Sequence, residues 1–212
     1  MDQRVGLRER KKLQTARSLW VTAIELFAEH GFENVSVAQI ADAAGVSKMT
    51  VFNYFPTKED LVLRPLEEHI DEPARLIRQC LAEASGLGPL RAFVLKCIAE
   101  HDPIVGMNDG PRVLAVYRVM LGTPALFQRA GRFAVQSEEL VAETLRTRLP
   151  DMVARIAAAQ IIGVLSALRA RNLERLLAGE KPAAVEPDAT ADANLAFDLL
   201  EHGLGEHFDA LT

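Results

Sequence analysis

The chain has 212 residues, of which 49% are hydrophobic and 25% charged, enough for a substantial core in one large or two small domains. Its net charge of −5 argues against a protein that coats nucleic acid non-specifically. No apolar run reaches the ~18 residues that span a bilayer, and no apolar segment follows the charged N-terminus, so we expect neither a membrane anchor nor a signal peptide.

The first segment of the chain is basic. Residues 1–17 carry six basic and two acidic side chains ahead of the first well-marked amphipathic helix. Such an arm can follow DNA phosphates or enter the minor groove. A disordered, solubilising tail explains the first seven residues equally well.

The segment that begins at Ser36 has the signals of two short helices around a tight turn. Ser36 and Gln39 have the spacing of a capping box, which marks the start of the first helix. Gly45 provides the backbone freedom that a sharp turn requires, and Ser47 is placed to cap the second helix. Pro56 ends that second helix. This pattern predicts a helix-turn-helix, a motif that presents one helix to the DNA major groove.

The second of these helices has an outward face of mixed chemistry. Helical spacing turns Val51 and Phe55 inward and leaves Met49 and Asn53 on the opposite side. That side is flanked by Lys48, Thr50 and Phe52. Asparagine pairs with adenine, threonine and phenylalanine contact the thymine methyl group, and lysine reaches guanine or phosphate. A small helical hairpin with a polar outer face is the alternative interpretation.

Two further side chains are placed for the DNA backbone. Tyr54 ends the second helix, and Lys58 begins a third helix that Thr57 is placed to cap. Glu59 and Asp60 lie in the first turn of that third helix, where carboxylates favour the positive end of the helix dipole. We expect Tyr54 and Lys58 to contact phosphates, which position a domain without reading sequence.

Three motifs follow one another between Thr15 and Leu61. They are Leu-Phe-Ala-Glu-His-Gly-Phe at 26–32, Val-Ser-Val-Ala-Gln-Ile-Ala-Asp-Ala-Ala-Gly-Val-Ser-Lys at 35–48 and Phe-Asn-Tyr-Phe-Pro-Thr-Lys-Glu-Asp-Leu at 52–61. Together they resemble the N-terminal domain of the tetracycline-repressor (TetR) family. The resemblance implies a homodimeric transcription factor, usually a repressor, whose C-terminal domain binds a small molecule and then releases DNA.

By position, the resemblance implies DNA contacts at nine residues of this chain. They are Ser36, Val37, Lys48, Met49, Thr50, Phe52, Asn53, Tyr54 and Lys58. Three positions depart from the family pattern: Phe52 stands where tyrosine is common, Met49 replaces a small residue, and Ala16 replaces a frequent arginine. The operator sequence is therefore not transferable from a relative.

The rest of the chain lacks strand-like alternation, and we expect helices throughout. Pro65 and Pro73 interrupt a long amphipathic run after Thr57. Pro150 opens a helix that runs to about residue 177. Residues 179–190 contain two prolines without periodicity and are predicted to form a flexible loop.

The predicted fold class is all-α, in two parts. Residues 1–56 form a three-helix helix-turn-helix domain with its basic N-terminal arm, and residues 57–212 form a helical ligand-binding and dimerisation domain. Cys80 and Cys97 lie on apolar helical faces, which predicts buried free thiols in a reducing cytoplasm rather than a disulfide.

Two C-terminal segments have apolar stripes at helical spacing. Residues 151–177 mix branched side chains with alanine and glycine, and residues 191–211 repeat phenylalanine and leucine every three or four positions. They suit a four-helix dimer interface, which the resemblance favours over an ordinary intramolecular core. The candidate interface residues are Ile161, Val164, Leu168, Phe197, Leu200, Leu204 and Phe208.

Aromatic and sulfur side chains between these regions are candidates for an effector pocket. The candidates are Phe93, Cys97, His101, Met107, Tyr117, Arg118, Met120, Phe127 and Phe133. His101 and Arg118 are the candidate polar anchors. Plain core is the alternative, because such stripes are more often core than a binding site.

Motifs for catalysis and metal binding are absent from the sequence, which has no Gly-x-Ser-x-Gly, phosphate loop, His-Glu-x-x-His or Cys-x-x-Cys. The pairs His202 with Glu206 and His101 with Asp102 do not complete a metal or catalytic set. We therefore expect no enzyme activity, catalytic residue, metal or cofactor. The expected partners are a palindromic double-stranded operator, a second copy of the chain and a small-molecule effector, in the bacterial cytoplasm and on the nucleoid when bound. An enzyme is the alternative from another class, and a constitutive architectural DNA-binding protein with a filled C-terminal core is a third interpretation.

Overall fold

The computed structural model describes residues 6–84 and 86–203, and all regular structure within these ranges is helical. The α helices in chain order are α1 Leu7–His30, α2 Val37–Ala43, α3 Lys48–Tyr54, α4 Asp60–Glu67, α5 Glu72–Glu83, α6 Gly88–Ala99, α7 Pro111–Gly122, α8 Pro124–Leu145, α9 Asp151–Leu177 and α10 Pro182–His202. A short 3₁₀ helix, Pro103–Val105, lies between α6 and α7. The predicted all-α class is confirmed.

The chain divides into two compact units, each built from two stretches of sequence. The first unit comprises residues 1–67 and 110–130, and the second comprises residues 68–109 and 131–212. These units are defined by compactness, whereas the division predicted after residue 56 separates two functions. The functional division therefore stays a prediction.

Helix α1 is central to the first unit. It packs against α2, α4 and α7, and α2 packs against α3. Leu19, Ala23 and Phe27 recur at intervals of four and are buried, so one face of α1 supplies much of this core. Phe32 and Val35, in the loop after α1, are also buried and seat the start of α2.

The predicted local signals of the helix-turn-helix are confirmed. Ser36 and Gln39 form a reciprocal capping box at the start of α2. The Ser47 hydroxyl accepts a hydrogen bond of 3.0 Å from the Thr50 amide and caps α3. Gly45 has a φ of +67°, which explains why glycine occupies the turn between the two helices.

Helix α10 supplies one wall of the second unit. It packs against α6 and α9, while α5 packs against α6. Val185, Ala189, Ala193 and Phe197 recur at intervals of four along α10 and are all buried. Buried Asn172 of α9 donates a hydrogen bond of 2.9 Å to the carbonyl oxygen of Val105, which satisfies two polar groups inside this core.

The loop predicted at residues 179–190 is wrong, because α10 begins at Pro182. Proline is tolerated in the first turn of a helix, where the amide hydrogen has no intrahelical acceptor. Arg175 of α9 pairs with Glu180 and Asp188, and these ion pairs hold the start of α10 close to α9. Tertiary contacts thus outweigh the local proline signal.

The helix interruption predicted at Pro65 is also wrong. Pro65 lies within α4 and does not end it, while Pro73 lies in the first turn of α5. The predicted helix from residue 151 to residue 177 is confirmed as α9.

The two cysteines are buried and free, as predicted. Burial raises the pKa of the Cys97 thiol to about 11, and the nearby carboxylates of Asp102 and Glu72 add to this shift. Burial also raises the pKa of Cys80. Both thiols are therefore protonated at neutral pH and pack as small apolar side chains.

Candidate DNA-binding surface

Helix α3 is anchored through one side only. Val51 is fully buried and Phe55, directly after the helix, is 4% exposed, as their spacing predicts. Gly45 and Ser47 set the angle at which α3 leaves α2. The opposite side of α3 therefore faces away from the core of the first unit.

The outward side of α3 is exposed and largely apolar at its centre. Met49 is 69% exposed and Phe52 is 37% exposed, and Lys48 and Asn53 are exposed beside them. The Lys48 ammonium lies 5.7 Å from the centroid of the Phe52 ring. The surface thus combines two apolar side chains with one amide and one cation, groups suited to the edges of bases in a major groove.

Other predicted contact residues are less accessible. Thr50 and Tyr54 are half-buried, and the Thr50 hydroxyl lies 2.8 Å from the Ser47 hydroxyl, within hydrogen-bond distance. On α2, Ser36 is exposed but its hydroxyl belongs to the capping box, and Val37 is half-buried. These side chains therefore have structural roles in addition to the predicted contacts.

Lys58 has a structural role that the sequence did not indicate. Its ammonium donates hydrogen bonds to the carbonyl oxygens of Phe32 and Val35, at 2.9 Å and 3.3 Å, and lies 4.2 Å from the centroid of the Phe32 ring. Lysine has three N–H donors, so one is left over. The phosphate contact of Lys58 stays a prediction. A phosphate would compete for the ammonium with the carbonyl oxygens of Phe32 and Val35.

The basic N-terminal segment is largely helical, because α1 begins at Leu7. Arg10, Lys11, Lys12 and Arg17 of α1 are exposed. Arg4 lies outside the described residues, so the predicted arm is tested only in its second half. Exposed cations on the same domain as α3 provide the positive charge that phosphate binding requires.

Two arginine contacts near the start of α4 were not predicted. Arg64 donates a hydrogen bond of 3.0 Å to the carbonyl oxygen of Tyr54, and Arg129 pairs with Asp60 in the first turn of α4. Thr57 and Asp60 form the local cap that the sequence indicated. Local sequence patterns could not predict the contact of Arg129 with Asp60, because the two residues lie 69 positions apart along the chain.

Comparison with known proteins agrees with this geometry. Residues 19–64 match the family described as "Bacterial regulatory proteins, tetR family". The matched segment contains α2, α3 and the start of α4, which carry the features described above. The segment from residue 19 to residue 64 belongs to the tetR family.

Individual relatives extend the similarity beyond the tetR segment. The HTH-type transcriptional regulator TcmR of Streptomyces glaucescens is 32% identical over 149 residues, which cover 68% of this chain. The match spans less than two thirds of TcmR, 64% of its length.

Among solved structures, NalD of Pseudomonas aeruginosa, the secondary repressor of the MexAB-OprM multidrug efflux pump, is 25% identical with a TM-score of 0.57, over 91% of this chain and 97% of NalD. FadR of Thermus thermophilus, solved in complex with lauroyl-CoA, is 21% identical with a TM-score of 0.53, over 89% of this chain and 94% of FadR. The FadR comparison shows a shared fold only.

The predicted effector residues lie in both units of the chain. In the second unit, Cys97 and Met107 are buried, whereas Phe93, His101 and Phe133 are half-buried. In the first unit, Tyr117 and Met120 are buried, whereas Arg118 and Phe127 are exposed. His101 Nε2 lies 2.9 Å from Glu186 Oε2, so this candidate anchor already has a polar partner. The effector assignment stays a prediction.

Three of the seven predicted dimer residues need correction, and the other four stay predictions. Ile161, Leu168 and Phe197 are buried within their own chain, so they serve the intramolecular core. Val164 and Leu200 are half-buried. Leu204 and Phe208 lie outside the described residues. Phe197 is thus the member of the predicted α10 stripe that the structure shows facing the chain's own core.

The histidines considered for catalysis have other partners in the part of the chain that the structure describes. Asp102 accepts a hydrogen bond from the Ile104 amide at 2.8 Å, and His101 turns to Glu186 instead of Asp102. His202 Nδ1 lies 3.0 Å from the Asp198 carbonyl oxygen, and Glu206 is outside the described residues. No cluster of three metal-binding side chains occurs among residues 6–84 and 86–203. The similar proteins named above are regulators rather than enzymes.

Proposed function

We propose that this protein is a sequence-specific DNA-binding transcriptional regulator that acts as a homodimer. The outward side of α3 carries the proposal, since Met49, Phe52 and Asn53 project from a helix whose other side is buried. Asparagine reads adenine in the major groove, and the apolar pair suits thymine methyl groups. Ser36, Val37, Tyr54 and Lys58 are proposed to position the domain on the sugar-phosphate backbone.

The dimer is proposed to form through α9 and α10. Met152, Ile156, Ala159, Gly163 and Ala167 form an exposed stripe at intervals of three and four along α9. Leu195, at 50% exposure, lies on the exposed side of α10. Alanine and glycine permit close approach of a second helix, and a twofold axis would pair the same stripe on both copies.

The exposed stripe also explains an unusual property of α9. Among the described residues, α9 is the one helix long and apolar enough to cross a membrane by length and composition. A dimerisation helix also has a high mean hydropathy, because the core of its own chain covers one apolar side and the partner covers another. We therefore assign α9 to the dimer, and the protein to the cytoplasm.

We further propose that the regulator is a repressor released from its operator by a small molecule. NalD is a repressor, and FadR, which shares this fold, is solved with lauroyl-CoA. The fold is thus compatible with an elongated apolar ligand. Release requires that the ligand favour a conformation whose two α3 helices no longer match the operator. An architectural protein would lack this response.

Selection of bound fragments from random DNA tests the proposed function. A twofold dimer presents two recognition helices, so the selected sequences are expected to be palindromic, with half-sites about one helical turn or slightly more apart. Asn53→Ala is expected to relax one base pair in each half-site. Recovery of only asymmetric, unrelated sequences would overturn the dimeric operator.

The ligand response has its own test. Compounds that raise the thermal stability of the protein are first identified, because a ligand that prefers the native state stabilises it. Each is then tested for release of the selected operator. Stabilising ligands that leave operator affinity unchanged would favour the architectural alternative.

A further inference from the structure

Three basic side chains link α4 and the residues before it to other parts of the first unit. Lys58 reaches the carbonyl oxygens in the loop after α1, and Arg64 donates to the carbonyl oxygen of Tyr54, the last residue of α3. Arg129, from α8, donates to the Thr57 hydroxyl at 3.1 Å and to Asp60. The start of α4 is therefore a junction between α3, α4 and α8.

Asp60 is the centre of the junction. Its residue is 8% exposed, and its Oδ2 accepts a hydrogen bond of 2.8 Å from the Thr57 amide while Oδ1 accepts from Arg129. Burial alone would raise the pKa of this carboxyl, but the hydrogen bonds from Thr57 and Arg129 outweigh burial and lower it. A buried carboxylate depends on its partners, so loss of Arg129 leaves a charge without its counter-ion.

The junction lies next to the recognition helix in the chain. Only Phe55 and Pro56 separate the end of α3 from Thr57. Phe55 is buried, and the proline ring restricts its own backbone and that of the preceding residue. A displacement of Thr57 is consequently passed to the end of α3 rather than absorbed by a flexible linker.

We propose that Arg129 is a positioning residue for operator binding, which holds Thr57 and Asp60 so that α3 meets its half-site at the correct angle. This inference rests on the proposed function. Arg129 does not itself contact DNA in this role; it acts through Asp60 and the short connection to α3. A role limited to stabilising the fold is the alternative.

The specificity of DNA binding distinguishes a positioning role of Arg129 from a role limited to stabilising the fold. Affinity for random-sequence DNA comes mainly from cations near phosphates, whereas affinity for the operator requires base contacts at the correct positions. A mispositioned α3 loses base contacts and keeps the electrostatic attraction. A destabilised fold instead loses both kinds of binding together.

The experiment compares wild type, Arg129→Met and Arg129→Lys on the selected operator and on a random-sequence duplex of equal length, at one salt concentration. Arg112→Met is the matched control, since Arg112 also pairs with a carboxylate of the first unit, but this carboxylate is Glu25 of α1 and not a residue of α4. Arg129→Met is expected to weaken operator binding by about 5- to 150-fold, the effect of losing one base contact. Its affinity for random DNA is expected to change no more than that of Arg112→Met.

A mutant cycle tests the route through Asp60. In an Asp60→Asn background, Arg129→Met is expected to cause little further loss of operator affinity, because both changes remove the same contact. Arg129→Lys, which keeps the charge but loses the forked geometry, is expected to lie between wild type and Arg129→Met. If Arg129→Met does not fold, the comparison of Arg129→Lys with wild type decides the question.

Two results would overturn the inference: operator affinity unchanged in both Arg129 variants, or equal losses on operator and random DNA. A wild-type protein that selects no DNA sequence at all would overturn the proposed function instead. The two failures are therefore distinguishable.

Discussion

Gly106 lies so close to Arg169 that a Cβ atom at Gly106 would stand 2.5 Å from the Arg169 carbonyl oxygen. Gly106 also has a φ of +74°, a left-handed conformation that other residues rarely adopt. This contact holds the segment after the 3₁₀ helix Pro103–Val105 against α9, next to the hydrogen bond from Asn172 to Val105. Glycine is therefore required at Gly106 for two separate reasons.

Gly106→Ala is expected to lower the free energy of unfolding by about 2–5 kcal/mol, because backbone strain and a clash with another backbone add together. Gly179→Ala is the matched control, since Gly179 has a φ of +99° but nothing within 4 Å of the added Cβ. Its cost is expected to be about 1–2 kcal/mol from strain alone. Urea denaturation measures both, and equal losses would contradict the close approach to Arg169.

Replacement of thymine by deoxyuridine in the selected operator tests base recognition by Phe52. This change removes only the C5 methyl group, so a buried apolar contact is lost without altering base pairing. Affinity is expected to fall by about 3- to 5-fold at the contacted position, from the ~0.8 kcal/mol value of one buried carbon. Phe52→Ala should no longer respond to the substitution. A wild-type protein indifferent to deoxyuridine throughout the half-site would exclude thymine-methyl recognition.

Ile156→Glu is expected to produce folded monomers. Ile156 is 51% exposed in a single chain, so the charge is tolerated there but would be buried and unpaired in the proposed dimer, at a cost of several kcal/mol. Leu13→Glu is the control, because Leu13 is 59% exposed on α1 and outside the proposed interface. Light scattering and circular dichroism measure mass and folding. An intact Ile156→Glu dimer would remove this stripe of α9 from the interface.

The Cys97 thiol gives a prediction for alkaline pH. Burial raises its pKa from an ordinary value near 9 to about 11, so between these values the native chain holds a proton that the unfolded chain releases. Its contribution to stability is therefore fully present below the lower value and is lost as pH rises through the higher one. Urea unfolding is expected to lose up to about 3 kcal/mol over this range. Cys97→Ala is expected to show a shallower decline, and an identical decline would contradict the assignment.

The local structure of the helix-turn-helix could be predicted from the sequence. The caps at Ser36 and Ser47 and the turn at Gly45 depend on groups within about four residues of one another, so short patterns specify them. The outward face of α3 followed from the positions of Val51 and Phe55, because helical periodicity assigns opposite sides. The buried free thiols followed from the same rule.

The partners of individual side chains were decided by tertiary structure. The Lys58 ammonium was expected to bind phosphate, yet its acceptors, Phe32 and Val35, lie 26 and 23 residues away. Arg129 meets Asp60 across 69 residues. The sequence shows that a lysine or arginine side chain is present. Only the folded chain determines which hydrogen-bond acceptor lies within its reach.

The sequence by itself determined that α9 and α10 are apolar helices at the end of an all-α chain. It did not determine which side of each helix meets the chain's own core, and Phe197, expected in the dimer interface, is fully buried instead. Nor did it reveal that residues 182–190 are helical, because two prolines outweighed the alanines locally while Val185 and Ala189 are buried. Periodicity shows that a helix has an apolar face, whereas only packing against α6 and α9 decides which face of α10 is buried and which stays exposed.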